Sequence, residues 1–282
     1  MVTQELKKED IMRILPDRKP DTHKGDYGRV LLLCGSRGFT GAAALAAMGA
    51  LRSGAGLVYL AVPESIYAIE AVKLNEPIVL PMHDDNGMFA ADTTVELEKL
   101  LPKMDAVLIG PGIGCSDGTY KTVKYILEQF TGPVVVDADG INVLQGHIDL
   151  LRGRTNPTIL TPHMGEFMRL TGETLGDKVL DAVKLSEMTG AVVLLKGNKT
   201  VITDGMTVYV NPTGNPGMAV GGSGDVLSGI ITALLGQGVS PIHAAACGAW
   251  LHGAAGDVCA AEIGQYGMLP TDMIQVLPRL LK

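Results

Sequence analysis

The sequence predicts an α/β protein with a mostly parallel central β-sheet, helices on both faces of that sheet, and a late β-hairpin. Three observations support this fold class: short apolar runs recur along the chain, helical segments separate them, and glycine-rich turns follow several of them. The chain has 282 residues, 36 of them glycine and 46% of them hydrophobic, which is enough for a sizeable core. We expect a single domain over residues 1–282, with residues 1–22 as an N-terminal lead segment.

Six apolar runs are predicted to be buried strands, because they are continuous rather than alternating, as in strands covered on both faces. In chain order they are Val30–Cys34, Leu57–Val62, Ala106–Ile109, Val134–Val136, Thr158–Leu160 and Val192–Leu195. A hairpin is predicted after them, because Val201–Thr203 and Thr207–Val210 flank the turn-forming pair Asp204-Gly205.

Segments of helical composition and length lie between the predicted strands and give repeated strand–helix units. These segments are Gly41–Arg52, Asp92–Leu101, Asp117–Phe130 and Asp177–Met188. Two long helices, Asp225–Leu235 and Pro241–Ala261, are expected to form the tail of the chain. Both are apolar, but a Gly-Gln-Gly-Val-Ser-Pro segment separates them, which favours buried helices over membrane spans.

The charge balance and the cysteines exclude several classes of protein. Lys and Arg total 23 against 30 Asp and Glu, a net charge of −7, so no nucleic-acid or membrane surface is expected. No histidine pair has the spacing of a zinc hydrolase. The N-terminus has no apolar stretch of a signal peptide, so a cytoplasmic location is expected. Four cysteines are too widely spaced for a zinc site or a disulfide framework: Cys34, Cys115, Cys247 and Cys259.

A glycine-rich loop that leads into a helix is the most informative feature of the sequence. Residues 221–225 read Gly-Gly-Ser-Gly-Asp. Small residues allow successive backbone N–H groups to converge on an anion, and the helix that follows adds the positive end of its dipole. Asp225 falls in the first turn, where the dipole is expected to lower its pKa, and it could accept a proton during phosphoryl transfer. The alternative is that Asp225 only stabilises the helix N-terminus.

This loop resembles the anion-hole and aspartate signature of the ribokinase-like superfamily. Together with further motifs, it resembles the ADP/ATP-dependent NAD(P)H-hydrate dehydratases. The motifs run in the family's order from His23 to Ala261 and include Thr40–Ala42, Gly110–Gly114, Asp137–Asn142, Thr161–Phe167, Lys196–Thr200 and Gly214–Asp225. Phe39 and Met164 depart from the family's usual Tyr and Pro.

The resemblance implies a ribokinase-like fold and a lyase activity. Members of this family dehydrate (S)-NADHX and (S)-NADPHX, the hydrated reduced cofactors, to NADH and NADPH. The implied reaction uses ADP or ATP with Mg²⁺ to phosphorylate the ring hydroxyl, and phosphate is then eliminated. Asp225 is the implied base, and an anion hole is implied at Gly221, Gly222, Ser223 and Gly224. An epimerase domain, which some family members carry, is not expected here.

The resemblance also implies two ligand sites. Besides Asp225, the residues implied for the hydrated cofactor are Ala42, His163 and a glycine of the pair Gly112 and Gly114, and the sequence leaves open which of the two contacts it. Besides Gly224, the residues implied for the adenine nucleotide are Lys196, Gly197, Asn198, Lys199 and Thr200. Glu166 is implied to contact Mg²⁺ through a water molecule.

The residues themselves leave alternatives open for Glu166, for the segment 196–200, and for two aspartates that follow a predicted strand. Glu166 could lie on an exposed helical turn capped by Thr161. The segment Lys196–Thr200 could be a solvated basic turn. Asp137 and Asp139 could approach magnesium or a ribose, or cap the turn that follows them.

Three rival functions are considered. Residues 114–118 match the hydrolase motif Gly-x-Ser-x-Gly, but Ser116 lies several residues beyond its strand, which favours a helix N-cap over a nucleophile. A small-molecule kinase of the same superfamily would share the loop and the base. A nucleotide sensor would not need Asp225. The sequence leaves the choice between ADP and ATP open, while its Ala/Gly-rich helical faces suggest a homo-oligomer.

Overall fold

The computed structural model describes residues 3–281, so residues 1, 2 and 282 of the predicted domain lie outside the described residues. Residues 3–281 contain twelve β-strands: β1 (Thr3–Glu5), β2 (Arg29–Leu33), β3 (Leu57–Pro63), β4 (Ile78–Met82), β5 (Asp84–Asp85), β6 (Met88–Phe89), β7 (Ala106–Ile109), β8 (Val134–Val136), β9 (Thr158–Leu160), β10 (Val192–Leu195), β11 (Val201–Thr203) and β12 (Val208–Val210).

The same residues form twelve α-helices, joined in places by short 3₁₀ turns. They are α1 (Lys8–Ile14), α2 (Thr40–Arg52), α3 (Glu64–Lys73), α4 (Thr94–Leu100), α5 (Asp117–Gln129), α6 (Asp139–Asn142), α7 (Asp149–Arg152), α8 (Met164–Thr171), α9 (Lys178–Thr189), α10 (Ser223–Gly236), α11 (Pro241–Glu262) and α12 (Pro270–Leu280).

Ten of the strands form one sheet in the order β1-β12-β11-β10-β9-β8-β7-β2-β3-β4. All neighbours are parallel except at β10-β11 and β11-β12, where the predicted hairpin joins one edge of the sheet. The mostly parallel α/β fold and the six predicted buried strands are therefore confirmed. The hairpin turn is longer than its Asp-Gly pair suggested, because Thr203 pairs with Val208 across a four-residue loop.

Helices cover both faces of the sheet, and β2 shows how. Val30 and Leu32 belong to one apolar cluster and Leu31 and Leu33 to another, and all four are fully buried. Because side chains alternate across a strand, these clusters lie on opposite faces of the sheet. The continuous apolar run in the sequence is therefore explained by a core on each side.

Helices α2 and α10 pack with their backbones in contact. A Cβ atom on Gly49 would lie 2.7 Å from the carbonyl oxygen of Val226, and one on Gly229 would collide with the carbonyl of Ala46. Only glycine permits this approach. The close packing places the N-terminus of α10 beside that of α2, at the edge of the sheet where the candidate site lies.

The two ends of the chain contain elements that the sequence did not predict. In the lead segment, β1 pairs in parallel with β12, and α1 buries Ile11 completely. The tail has a third helix, α12, in addition to the two expected. The expected helices α10 and α11 are largely buried. Among residues 3–281, no helix is both long enough and apolar enough to cross a membrane.

Candidate active site

Five parallel strands end at the same edge of the sheet, and the residues that follow them form the floor of the candidate site. These residues are Cys34, Gly110, Asp137, Thr161 and Lys196, after β2, β7, β8, β9 and β10. In open α/β sheets, ligands bind outside the carboxyl ends of the strands. The predicted site motifs are therefore brought together from segments that are far apart in the sequence.

Lys196 lies at the centre of a charged cluster. Its Nζ atom is 2.8 Å from Oδ1 of Asp137 and 3.7 Å from Oε2 of Glu166, and its side chain is only 17% exposed. Burial acts to lower the pKa of Lys196, but Asp137 and Glu166 outweigh it, and the net pKa is raised. Lys196 is therefore a buried, paired cation, and the alternative of a solvated turn is wrong for this residue.

Asp225 lies in the first turn of α10, beside this cluster. Burial and then the neighbouring Asp137 carboxylate raise the pKa of Asp225 to about 6, against the opposing effect of Lys196. The expectation that the helix dipole would lower this pKa is wrong, because desolvation and nearby negative charge exceed the effect of the helix. A carboxylate with a pKa near 6 is a better base than an ordinary aspartate and remains mostly ionised at pH 7.

The glycine loop presents backbone amides to the same space. Gly222 caps α10 with a φ of 92°, a conformation that favours glycine. The amides of Gly224 and Asp225 occupy the second and third positions of the helix, where no intrahelical acceptor exists. A Cβ atom on Gly224 would lie 3.4 Å from Nζ of Lys196, so the loop, the lysine and Asp225 enclose one small volume.

Ser223 has a different role from the glycines around it. Its amide donates to the carbonyl of Val220 at 3.3 Å, and its hydroxyl lies 3.2 Å from Nε2 of His252 on α11. Burial lowers the pKa of His252 to about 4, so the imidazole is neutral at physiological pH. The side chain of Ser223 thus anchors the loop to the protein interior, a support that sequence reasoning missed.

The turn after β8 is strained where it enters the site. Ala138 has φ 48° and ψ −119°, and the amide of Gly140 donates to the carbonyl of Asp137, which makes a type II′ turn. An alanine in this position costs about 1–3 kcal/mol. The turn directs Asp137 toward Lys196, and Oδ1 of Asp137 also accepts the Ala138 amide at 2.9 Å. Asp137 therefore both caps its turn and forms part of the candidate site.

His163 and Glu166 form a capping box at the start of α8. Nδ1 of His163 accepts the amides of Gly165 and Glu166, and the His163 amide donates to Oε2 of Glu166 at 2.8 Å. The alternative that Thr161 is the cap and Glu166 is exposed is wrong, since Glu166 is 4% exposed. His163 keeps half of its side chain exposed at the rim of the crevice, with Nε2 3.2 Å from Oε1 of Glu166.

Three of the residues implied for the hydrated cofactor line the β2 and β7 side of the crevice. Gly112 has a φ of 64°, and a Cβ atom there would lie 2.8 Å from Cβ of Ala42, so the two residues share one wall. Gly114 has a φ of 74°, and its amide donates to Oδ2 of Asp139 at 2.9 Å. Asp139 thus ties the turn after β8 to the loop after β7.

The segment implied for the nucleotide follows β10 and is folded on itself. The hydroxyl of Thr200 donates to the carbonyl of Gly197 at 2.9 Å, while Asn198 and Lys199 are exposed. Lys178 donates to the carbonyls of Asn198 and Lys199 at 3.0 and 3.3 Å, and burial lowers its pKa to about 8. The sequence analysis did not identify Lys178. A lysine in the first turn of a helix is unfavourable, because it lies next to the positive end of the helix dipole, so its position indicates another role.

The remaining expectations concern Ser116, the cysteines and metal clusters. Ser116 caps α5, since its hydroxyl accepts the Thr119 amide at 3.0 Å, so the N-cap interpretation is confirmed. All four cysteines are free, and Cys115 is the exposed one. Within residues 3–281, no three or more His, Cys, Asp or Glu side chains are grouped to hold a metal ion.

Comparison with known proteins finds relatives that cover almost all of this chain. The "Bifunctional NAD(P)H-hydrate repair enzyme Nnr" of Moorella thermoacetica is 46% identical over 275 residues, which cover 95% of this chain and 52% of the relative. The protein of the same name from Escherichia coli (strain K12) is 38% identical over 285 residues, 99% of this chain and 52% of the relative. The chain therefore spans about half the length of these relatives.

A solved structure matches over nearly its whole length. The ADP/ATP-dependent NAD(P)H-hydrate dehydratase from Bacillus subtilis, co-crystallized with ATP/Mg²⁺, has a TM-score of 0.86 and 31% identity, covering 98% of this chain and 97% of that chain. A family model described as NAD(P)H-hydrate dehydratase matches residues 30–279, which include every strand-end residue of the crevice. The chain therefore belongs to the NAD(P)H-hydrate dehydratase family.

Proposed function

We propose that this chain dehydrates (S)-NADHX and (S)-NADPHX to NADH and NADPH, with ADP or ATP as the phosphoryl donor. The observation that carries the proposal is the position of Asp225, a partly buried carboxylate with a raised pKa at the end of a glycine loop. A nucleotide sensor has no need of such a base. Membership of the dehydratase family supports the choice of substrate.

In the proposed first step, Asp225 accepts the proton of the ring hydroxyl while that oxygen attacks the terminal phosphoryl group of the nucleotide. The bond from this phosphorus to the bridging oxygen breaks, so ATP leaves as ADP, or ADP leaves as AMP. The amides at the start of α10, with Gly221 and Gly222 before them, stabilise the charge on the transferring phosphoryl oxygens. Lys196 lies next to Gly224 and adds a positive charge, although Asp137 and Glu166 already compensate for part of it.

Magnesium fits this donor set only indirectly. Mg²⁺ prefers oxygen ligands and retains several waters, often binding through one or two carboxylates and the phosphates of a substrate. Glu166 is engaged by the His163 amide and approached by Lys196, so we propose that it contacts the ion through water. When bound, the ion offsets negative charge on the nucleotide phosphates. The Bacillus subtilis relative was co-crystallized with ATP/Mg²⁺, which supports this assignment.

In the proposed second step, phosphate leaves with the electrons of its carbon–oxygen bond, a proton is lost from the adjacent ring carbon, and the double bond is restored. Phosphate is a far better leaving group than hydroxide, which is why a nucleotide is consumed. We propose that Ala42, Gly112, Gly114 and His163 hold the hydrated ring. The nucleotide is assigned to Lys196, Gly224 and the 197–200 segment, on the other side of Asp137.

The test is to incubate the full chain with (S)-NADHX, Mg²⁺ and either ADP or ATP, while following the absorbance of regenerated NADH and the release of phosphate. We expect both products in equal amounts from the wild-type chain and loss of turnover by roughly a hundredfold or more in Asp225→Asn. A phosphorylated product without NADH would identify a kinase instead. No consumption of nucleotide would favour a sensor.

We also propose that the chain forms a homo-oligomer and works in the cytoplasm. Support for self-association comes from exposed apolar side chains after α11, where Ile263, Tyr266 and Leu269 are all more than half exposed. Free thiols support a reducing compartment. Size-exclusion chromatography with light scattering tests the first proposal, and a monomer at micromolar concentration would contradict it.

A further inference from the structure

Arg169 projects from α8 to the rim of the crevice, where it contacts neighbouring loops. Its Nε atom donates to Oδ1 of Asn142 at 2.9 Å. A Cβ atom on Gly165 would lie 3.4 Å from its Nη1 atom, so the guanidinium lies along the N-terminus of α8. It is also close to Cys115. Burial and Asp139 raise the pKa of the Cys115 thiol, and the positive charge of Arg169 acts to lower it. The guanidinium therefore lies between the loops after β7, β8 and β9.

Arg169 is linked to the reaction centre through two side chains. Asn142, which accepts from Arg169, donates through Nδ2 to Oδ1 of Asp139 at 3.1 Å. Asp139 in turn holds the Gly114 amide and is near enough to Asp225 to raise its pKa. The guanidinium is thus held by a neutral amide at a defined position outside the reacting centre.

The charge of Arg169 is not neutralised by its neighbours. Among residues 3–281 it forms no ion pair with a carboxylate, whereas Lys196, the cation deeper in the crevice, is paired with Asp137 and Glu166. With Nε occupied by Asn142, the donors on both Nη atoms remain for a ligand. A guanidinium offers this planar, two-pronged arrangement to phosphate oxygens.

The strand order decides which ligand lies there. Arg169 contacts the loops after β8 and β9 and lies near the loop after β7. The proposed nucleotide segment instead follows β10, on the other side of β9 in the sheet. The residues proposed for the hydrated ring follow β2, β7 and β9. Arg169 is therefore on the side of the crevice that we assign to the hydrated cofactor, next to His163.

We propose that Arg169 binds the pyrophosphate of the hydrated dinucleotide and so selects substrates that carry it. This inference rests on the proposed function for the identity of the substrate. It adds a determinant of specificity outside the reacting centre, since a hydrated nicotinamide ring without a pyrophosphate would lack this contact.

The test compares the wild-type chain with Arg169→Ala and Arg169→Lys, and uses Arg13→Ala, an exposed arginine on α1, as the matched control. In Arg169→Ala, we expect KM for NADHX to rise roughly tenfold to a hundredfold, as for loss of a hydrogen bond to a charged group. KM for ADP and ATP should not change. Arg169→Lys should give an intermediate value, because lysine keeps the charge but loses the planar fork.

A truncated substrate separates binding of the pyrophosphate from a structural role. Hydrated dihydronicotinamide riboside has the ring but no phosphate, so Arg169→Ala should leave its KM unchanged. An equal loss for the riboside and for NADHX would overturn the proposal, because Arg169 would then act only by holding Asn142 and Asp139. A loss confined to NADPHX, or a rise in KM for the nucleotide, would also overturn it.

A binding measurement keeps this result independent of turnover. Calorimetric titration with NADH, which carries the same pyrophosphate, should show weaker binding to Arg169→Ala than to the wild-type chain and to Arg13→Ala. If wild-type chain binds NADH in this way but converts no NADHX, the proposed function fails and the assignment of Arg169 stands. If the wild-type chain converts NADHX and Arg169→Ala matches it, the assignment of Arg169 alone fails.

Discussion

From the raised pKa of Asp225, we expect that removal of the Asp225 charge will stabilise the folded protein and stop the reaction. The value of about 6, against an ordinary 3.8, means that the folded state holds the ionised carboxylate less favourably than water does. This difference corresponds to at most about 3 kcal/mol. Asp225→Asn, which resembles the protonated carboxyl group, should therefore have a higher free energy of unfolding at pH 8 by up to about that amount.

The pH dependence of this difference gives the sharper test. Below pH 3.8 the carboxyl group is protonated in both the folded and the unfolded chain, so its ionisation costs no stability. As the pH rises through about 6, the cost to the wild-type chain develops fully. The gap between Asp225→Asn and wild type should accordingly be largest at pH 8 and shrink below about 1 kcal/mol at pH 4.

Urea unfolding of both proteins at pH 4 and pH 8 measures this gap, with Asp21→Asn, an exposed aspartate, as the control. The control should follow the wild-type chain at both values. The reasoning is refuted if Asp225→Asn is no more stable than wild type at pH 8, or if its advantage is the same at pH 4. Either result would mean that the carboxylate is not desolvated in the folded protein.

Three further predictions follow from the same site. The kcat of the wild-type chain should fall about tenfold per pH unit below pH 6, because Asp225 must be ionised to accept a proton; a flat profile down to pH 5 would contradict this. Gly224→Ala should lower kcat at least about tenfold, because the added methyl group enters the volume beside Lys196. Its Tm should change little, because the helical backbone at this position tolerates alanine. Ala138→Gly should raise the free energy of unfolding by about 1 kcal/mol, because it relieves a positive φ; urea unfolding checks this, and a loss of stability would contradict it.

The central strands could be predicted because burial on both faces leaves a plain signal in the sequence. Ala106–Ile109 and Val192–Leu195 are continuous apolar runs, and the structure has strands with the same bounds. The sheet edges leave no such signal. Thr3–Glu5 is exposed throughout and is a strand only because β12, about two hundred residues later, offers it a partner. Ile78–Met82 contains Pro81, which is typical of an edge strand but obscures the pattern.

The candidate site residues could be listed from the sequence, but their interactions could not be predicted from it. Lys196 and Asp137 are 59 residues apart, and nothing in either motif shows that they form a buried pair. The pKa of Asp225 was predicted in the wrong direction for the same reason. The helix that begins beside it can be recognised locally, whereas its burial and the charge of Asp137 depend on tertiary structure. The conformation of Ala138 is similarly imposed by its surroundings.

The contact between α2 and α10 works as a fixed spacer for the crevice. Because Gly49 and Gly229 bring the two backbones together, α2 and α10 touch without an intervening side chain at these two positions, and the Leu45 side chain packs against Gly222 nearer the crevice. Backbone contact therefore largely fixes the distance between the wall proposed for the hydrated ring and the proposed base, Asp225. Entry and release of ligands must depend on the loops at the strand ends. A larger residue at either glycine would widen the gap, so these two buried positions set how far the proposed ring wall lies from Asp225.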